Sequence, residues 1–268
     1  MNNQSDFLKE ICEEKGIQLE CLSFGYVMRL AKNENSQHIF GPYWDINSAA
    51  ADRIACDKTA CSLLLSRSGI PAIPHEILCN PLRKAGFAGK DGVWLRAVNF
   101  LREHKRVVLK PNQGTKGQDI FLCETPVQLE TAVSAIFQNY PDAAISPYHE
   151  IETEYRVFFV NGNCRLVYGK KKGITWQHNL SQGATAFELS ENNEKIPSLK
   201  NLATRAANCI NIAFATIDIA ESPRGELLVM EINSGVQALQ LLEQLPHLRP
   251  VIKNIYTEAV ELFQKLFP

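Results

Sequence analysis

The sequence lacks an excess of charge of either sign: 28 lysines and arginines stand against 29 aspartates and glutamates in 268 residues. A general nucleic-acid binder needs clustered positive charge to displace counterions, so that class is set aside. Long apolar runs are missing as well. Segments such as 157–160 and 227–230 are the longest, far short of the roughly 18 residues of a membrane-spanning helix. The opening residues Met1-Asn2-Asn3-Gln4-Ser5-Asp6 have neither the basic start nor the apolar stretch of a secretion signal. A cytoplasmic location is therefore expected. No C-x-x-C pair occurs among the eight scattered cysteines, Cys12, Cys21, Cys56, Cys61, Cys79, Cys123, Cys164 and Cys209. They read as reduced, mostly buried small hydrophobes. The six histidines form no H-x-x-x-H and no G-x-S-x-G elbow is present, which argues against a zinc site and a serine-hydrolase nucleophile. Internal repeats and low-complexity tracts are absent too.

What is present is an ordinary globular composition, 45% hydrophobic and 21% charged, in a chain long enough for one large or two small domains. Phe7, Leu8, Ile11 and Cys12 recur at helical spacing after Ser5 or Asp6 as cap, with Gly16 placed to end the helix. Residues 17–22 alternate as a strand, and the glycine-, asparagine- and aromatic-rich stretch 25–45 leaves room for a short hairpin. A helical pattern over 48–68 is broken near Asp57 and capped by Gly69. Ile70-Pro71-Ala72-Ile73-Pro74 must be extended, because proline bars helix on both sides. This places a boundary at 70–80, giving units 1–75, 76–148 and 149–268.

Strands are expected at 107–110 and 118–123, around Gly114-Thr115-Lys116-Gly117. Thr125-Pro126-Val127-Gln128 carries the cap, first-turn proline and returning glutamine that open a helix through about Gln138. A short strand at 144–148 follows. Asn161-Gly162 between apolar runs signals a two-residue hairpin, and Pro223-Arg224-Gly225 joins a second one. Helical stripes at 199–210 and 252–262 complete an α+β pattern.

Side chains alternate along a strand, so Glu231 and Asn233 share a face, and Asp218 falls close to opposite Glu231 if the second hairpin turns between 222 and 225. Two carboxylates and an amide oxygen then converge. Like charges facing across strands are destabilising unless neutralised, and a hard divalent cation with phosphate partners does that. Ordinary surface acids on a hairpin are the alternative. Lys110 ends an apolar strand just before the glycine-bearing loop, a combination that offers a fixed cation and close backbone N–H groups to phosphate. A strand follows, so it is not a Walker A loop, and a plain β-turn is the competing reading. Arg156 enters an apolar strand and needs an anionic partner if buried. Lys170-Lys171-Lys172 reads on its own as solvated surface.

The order of these segments closely resembles the ATP-grasp superfamily, in the branch of RimK-type glutamate ligases, glutathione synthetase, cyanophycin synthetase and D-alanine–D-alanine ligase. The resemblance runs from about Asp57 to Asn233. Asp57-Lys58-Thr59 with Gly69-Ile70-Pro71 looks like the family's opening, and 107–111 with the loop to Gly117 looks like its phosphate-covering hairpin. The resemblance implies two α+β subdomains clasping ATP, preceded by a short N-terminal α/β unit. Lys58 and Lys110 match the two phosphate lysines, and Gly114, Thr115, Lys116 and Gly117 the loop that covers the phosphates and closes to keep water out. Pro147, Tyr148, His149 and Glu150 fall at the adenine linker, and Glu154 matches the acid on the ribose hydroxyls. Arg156 matches the arginine facing the transferred phosphoryl, with Lys171 where relatives carry a substrate-side arginine. Asn179 opens a segment similar to N-L-x-x-G, and Asp218, Glu231 and Asn233 match the Mg2+ ligands. The implied activity is carboxylate–amine ligation through an acyl phosphate, on an amino acid or small peptide, using ATP and Mg2+. The alternatives are a catalytically silent nucleotide-binding subunit and an ATP-grasp kinase. Neither nucleic acid nor membrane is an expected partner, and a homodimer is compatible with the resemblance.

This chain departs from the family pattern in three places: few glycines in the covering loop, lysine for arginine at 171, and Pro147 opening the linker. The unit before Asp57 is also short.

Overall fold

The structure, a computed structural model, describes residues 3–83, 92–114, 117–173 and 180–266. Three antiparallel sheets organise the described residues. Helix α1 (Asn3–Lys15) already contains Ser5 and Asp6, and ends at Gly16, whose φ of +62° is left-handed. Strands β1 (Gln18–Leu22), β2 (Val27–Lys32), β3 (Asn35–Phe40) and β4 (Tyr43–Trp44) then form a meander in chain order. The stretch 25–45 therefore holds more than a short hairpin; β2 and β3 alternate in burial, but one of the buried positions is the polar Gln37, which hides the period in the sequence.

The expected break at Asp57 is real. Helix α2 (Ala49–Cys56) is capped by Ser48, and α3 (Lys58–Arg67) by Asp57, whose carboxylate accepts from Ala60 N at 2.9 Å. The proline-bearing segment that follows is extended and stitched to a distant strand: Ile73 N donates to Val229 O, and Val229 N to Pro71 O, both at 2.9 Å.

The second sheet has the order β5 (Glu76–Cys79), β8 (Asp142–Pro147), β6 (Val107–Pro111), β7 (Phe121–Cys123). Helices α4 (Gly92–His104) and α5 (Pro126–Asn139) pack against it through Val93, Ala97, Leu101, Leu129, Ala132 and Ile136. Thr125 and Gln128 form the expected capping box at the start of α5.

The third sheet runs β11 (Thr185–Glu188), β10 (Asn163–Lys171), β9 (Thr153–Val160), β12 (Phe214–Glu221), β13 (Leu227–Asn233). Its turn residues Asn161 and Gly162 have φ of +44° and +81°, the left-handed pair that a tight hairpin requires. One face is covered by α6 (Lys195–Cys209) through Tyr155, Val157, Phe159, Ala215, Ile217 and Ile219. The other face is divided. Towards one end Phe158, Val160, Tyr168 and Phe214 join the core shared with α1, the meander and α8 (Arg249–Leu266). Trp44 sits edge-on to Phe214 at 5.1 Å and stacks near Tyr256 at 6.0 Å. Towards the other end the same face carries charge. A short helix, α7 (Leu239–Gln244), precedes α8. Among the described residues no helix is long and apolar enough to cross a membrane.

Asn47 ties the first unit to the third sheet. Its Oδ1 accepts from Ala213 N and Phe214 N at 3.0 and 2.9 Å, and its Nδ2 donates to Phe214 O at 2.9 Å. Alanine at 47 leaves two backbone donors without an acceptor, so a loss of about 2 kcal/mol in urea unfolding is expected.

Candidate active site

The charged end of the third sheet is assembled by strand register. Asp218 of β12 pairs with Arg156 of β9 on one side and with Glu231 of β13 on the other. The opposition of the two acids expected from the sequence is thus direct. A bulge between Asp218 and Ile219 leaves Met230 as the extra residue of β13, a device that re-aims the side chains beside it. Asn233 closes the group, its Nδ2 donating to Asp218 Oδ2 at 3.1 Å and to Glu231 Oε1 at 3.2 Å. Arg156 grips Asp218 with both Nε and Nη2, at 2.6 and 2.5 Å.

Lys170 is the residue that sequence reasoning missed. It is buried, bonded to Glu154 and within 3.3 Å of Asp218 Oδ1. Lys171, the expected substrate-side residue, is exposed, with its ammonium 5.2 Å over the Phe187 ring. The reason lies in β10. A hairpin continued evenly from Asn161-Gly162 puts Lys171 on the face of Glu154, but a bulge between Cys164 and Leu166 shifts the register so that Lys170 pairs with Glu154. Nothing in the side chains around Arg165 announces that bulge.

Burial works against every charge in this group. Arg156 and Lys170 overcome it for Asp218 and hold that carboxyl well below the usual range. For Glu154 burial wins: it is pushed up to about 7, with Lys170 opposing and the Asp218 charge adding. Lys170 and Arg156 stay charged because Asp218 and Glu154 outweigh their desolvation.

The two expected phosphate lysines stand nearby. Lys110, at the end of β6, is lowered to about 8, first by burial and then by Lys58, while Glu231 and Glu154 support its charge. Lys58 donates its Nζ to Gly114 O at 2.9 Å, and Asn112 receives Thr59 N on its side-chain oxygen at 3.1 Å. The start of α3 is thereby sewn to the loop after β6. Gly114 is required there, since a Cβ at this position would lie 2.9 Å from Pro111 Cβ. Gly117, with φ of +67°, accepts from Gln182 Nε2 at 3.0 Å. Thr115, Lys116 and Asn179 lie outside the described residues.

In the linker, Pro147 ends β8 opposite Val107, and Tyr148 N donates to Arg106 O at 2.9 Å beneath the Arg106 guanidinium. His149 turns a ring nitrogen into the interior, where burial and His104 lower it. Glu150 is exposed. The fold therefore gathers Glu154, Arg156, Asp218, Glu231 and Asn233 with Lys58 and Lys110, and leaves Lys171 and Glu150 facing outward.

Two cross-strand carboxylates, an amide and two lysines form an array suited to a polyanion bridged to a hard cation. Among the described residues no group of three or more His, Cys, Asp or Glu could hold a metal by itself. An ion on Asp218, Glu231 and Asn233 would thus draw on oxygens from its partner anion.

Residues 55–245 match the model of the RimK-like ATP-grasp domain. The chain is 28% identical over 261 residues to a probable alpha-L-glutamate ligase of Aeromonas salmonicida, covering 87% of this chain and 85% of that protein. It is 28% identical over 147 residues to the tetrahydromethanopterin:alpha-L-glutamate ligase of Methanocaldococcus jannaschii, covering 52% of this chain. The matched stretch spans about half, 48%, of that relative's length. Among solved structures, D-alanine–D-alanine ligase from Bacillus anthracis superposes with a TM-score of 0.64 over 82% of this chain and 71% of that one, at 14% identity.

Proposed function

The chain belongs to the RimK-like ATP-grasp family, and from that premise we propose that it is an ATP-dependent carboxylate–amine ligase acting on an amino acid or small peptide. A substrate carboxylate takes the γ-phosphoryl of ATP to become an acyl phosphate. An amine then attacks, the C–N bond forms, and ADP and phosphate leave. The observation that carries this reading is the convergence of Asp218, Glu231 and Asn233 beside Lys58 and Lys110.

Magnesium, when bound, supplies charge neutralisation between the triphosphate and the acidic hairpin, with Asp218, Glu231 and Asn233 as its holders. Lys110 and Lys58 take the remaining phosphate charge. Arg156 stands at the transferred phosphoryl and, with the interior Lys170 in the role expected of Lys171, balances charge as the amine attacks. Glu154 faces the ribose, and residues 147–149 form the adenine linker. Such transfer needs positioning and charge compensation more than covalent help.

The test is phosphate release from Mg-ATP across pairs of amino acids and small peptides, with glutamate as the first amine because both curated relatives are named as glutamate ligases. Release that requires both an acid and an amine is the expected result. Nucleotide binding with no turnover on any pair would favour a silent subunit, and a phosphate ester formed without an amine would favour a kinase.

Lys110 sets an alkaline limit. Its charge is lost as pH rises through about 8 in the nucleotide-free protein, so Mg-ADP affinity is expected to fall from pH 8 to pH 10. Calorimetric titration across that range checks it, and Lys110→Arg, which stays charged, should flatten the decline.

A further inference from the structure

Asn112 has no role in any motif above. It lies one position past the end of β6 and is wholly buried. Its backbone N–H donates to Asp142 O at 3.1 Å, which extends the β6–β8 ladder by one rung and fixes the residue in the second sheet. Its two oxygens serve the start of α3. The carbonyl accepts from Lys58 N at 3.2 Å, and the side-chain Oδ1 from Thr59 N at 3.1 Å.

A helix begins with backbone donors that its own carbonyls cannot reach. In α3 the side chain of the cap residue Asp57 takes one of the first three, Ala60 N, at 2.9 Å. The other two go to Asn112, so the helix is capped partly from its own segment and partly from another sheet. Helix α3 itself belongs to the core of the third sheet, which Cys61 and Leu65 share with Val157 and Ile217. Asn112 therefore joins the body that carries Lys110 to the body that carries Asp218 and Glu231. Two further bonds lie beside it: Lys58 Nζ donates to Gly114 O at 2.9 Å, and Gln113 Nε2 to Asp57 Oδ2 at 3.3 Å. Lys58 is thus tied at both ends, backbone and ammonium, to the segment that follows Lys110.

We propose that Asn112 is a positioning residue of this site: its two oxygens set where Lys58 stands relative to Lys110, and with that the gap a polyphosphate enters. This rests on the reading that the two lysines clasp nucleotide phosphates. The side-chain oxygen is the part a substitution can remove, since every residue at 112 keeps the carbonyl. Without it Thr59 N–H loses its acceptor and the first turn of α3 loosens from the loop. Lys58 then no longer meets a phosphate seated on Lys110. Holding both cations in place beforehand spares the cost of ordering them when the anion arrives.

Titration calorimetry with Mg-AMPPNP, a non-hydrolysable ATP analogue, measures this without any amino-acid substrate. Asn112→Leu, close in volume but with no side-chain oxygen, is expected to bind about tenfold more weakly than wild type, the scale of one lost hydrogen bond to a charged group. Lys58→Ala should weaken binding at least as much. The double variant should bind no more weakly than Lys58→Ala alone, because Asn112 acts through that lysine. A role in stability alone produces no such coupling. Asn47→Ala, destabilised at the other end of the third sheet, is the control and should bind like wild type. Thermal unfolding reports whether each variant is folded, and Asn112→Ala takes the place of the leucine variant if that one is not. Wild-type affinity in the folded 112 variant, losses that add in the double variant, or equal weakening in Asn47→Ala each overturn the assignment and leave the nucleotide site standing. Failure of wild type to bind Mg-AMPPNP removes both.

Discussion

Replacing Lys110 by alanine is expected to lower Mg-ATP turnover by about two to three orders of magnitude, the usual scale for deleting one preorganised charge at a reacting phosphate or oxyanion. The lysine is fixed by the ladder, since its own residue pairs with Ala144 while Leu109 pairs with Ile145 on β8. Burial and Lys58 both oppose its charge, and only Glu231 and Glu154 support it. The charge of an ammonium held in this unfavourable setting opposes folding, which offsets the packing of the stem that alanine removes. The variant should therefore unfold close to the wild-type temperature while losing activity. Glu231→Ala should lose turnover to a similar extent, because Asp218 and Asn233 alone make a poor holder for a hard cation. Steady-state phosphate release on the two variants checks this; full rates in both would place the chemistry elsewhere.

Asp218→Asn is expected to act on the fold itself, at a cost of about 3–5 kcal/mol. The carboxylate accepts from both arms of Arg156, from Lys170 and from Asn233, and is 1% exposed. An amide of the same shape leaves two buried cations facing Glu154 alone. The pH dependence carries a second signature. Asp218 titrates below its unfolded range, so its contribution is present above about pH 4 and is lost on acidification. Glu154 has the opposite sign: its contribution is full below the unfolded carboxylate range and fades as pH rises through about 7. Urea unfolding between pH 2 and pH 6 should show wild type losing its margin over Asp218→Asn below about pH 4. An equal margin at every pH would mean that packing, not charge, sets the cost.

Much of this was legible before any coordinates. Local chemistry announced the break at Asp57, the capping box at Thr125 and the turn at Asn161-Gly162, because each depends on neighbours in sequence. Glu231 and Asp218 could be paired because the second hairpin is short. Lys170 could not be chosen over Lys171, since the choice turns on one bulge near Arg165. Of the meander at 18–44 the first strand was expected at 17–22, and the rest only as room for a short hairpin, because polar residues such as Arg29, Ser36, Gln37 and His38 interrupt its apolar pattern.

The closing of the first core has a consequence for how the chain is made. Helix α1 is anchored by residues that follow far behind it: Lys15 bonds Glu261 at 2.7 Å, 246 positions away, and Glu10 meets Arg249 across 239. During synthesis α1 and the meander leave the ribosome with Phe7, Leu8 and Ile11 uncovered, and wait for α8 before that surface is sealed. Translation speed and chaperone supply should therefore govern the yield of folded protein more than the equilibrium strength of any single contact.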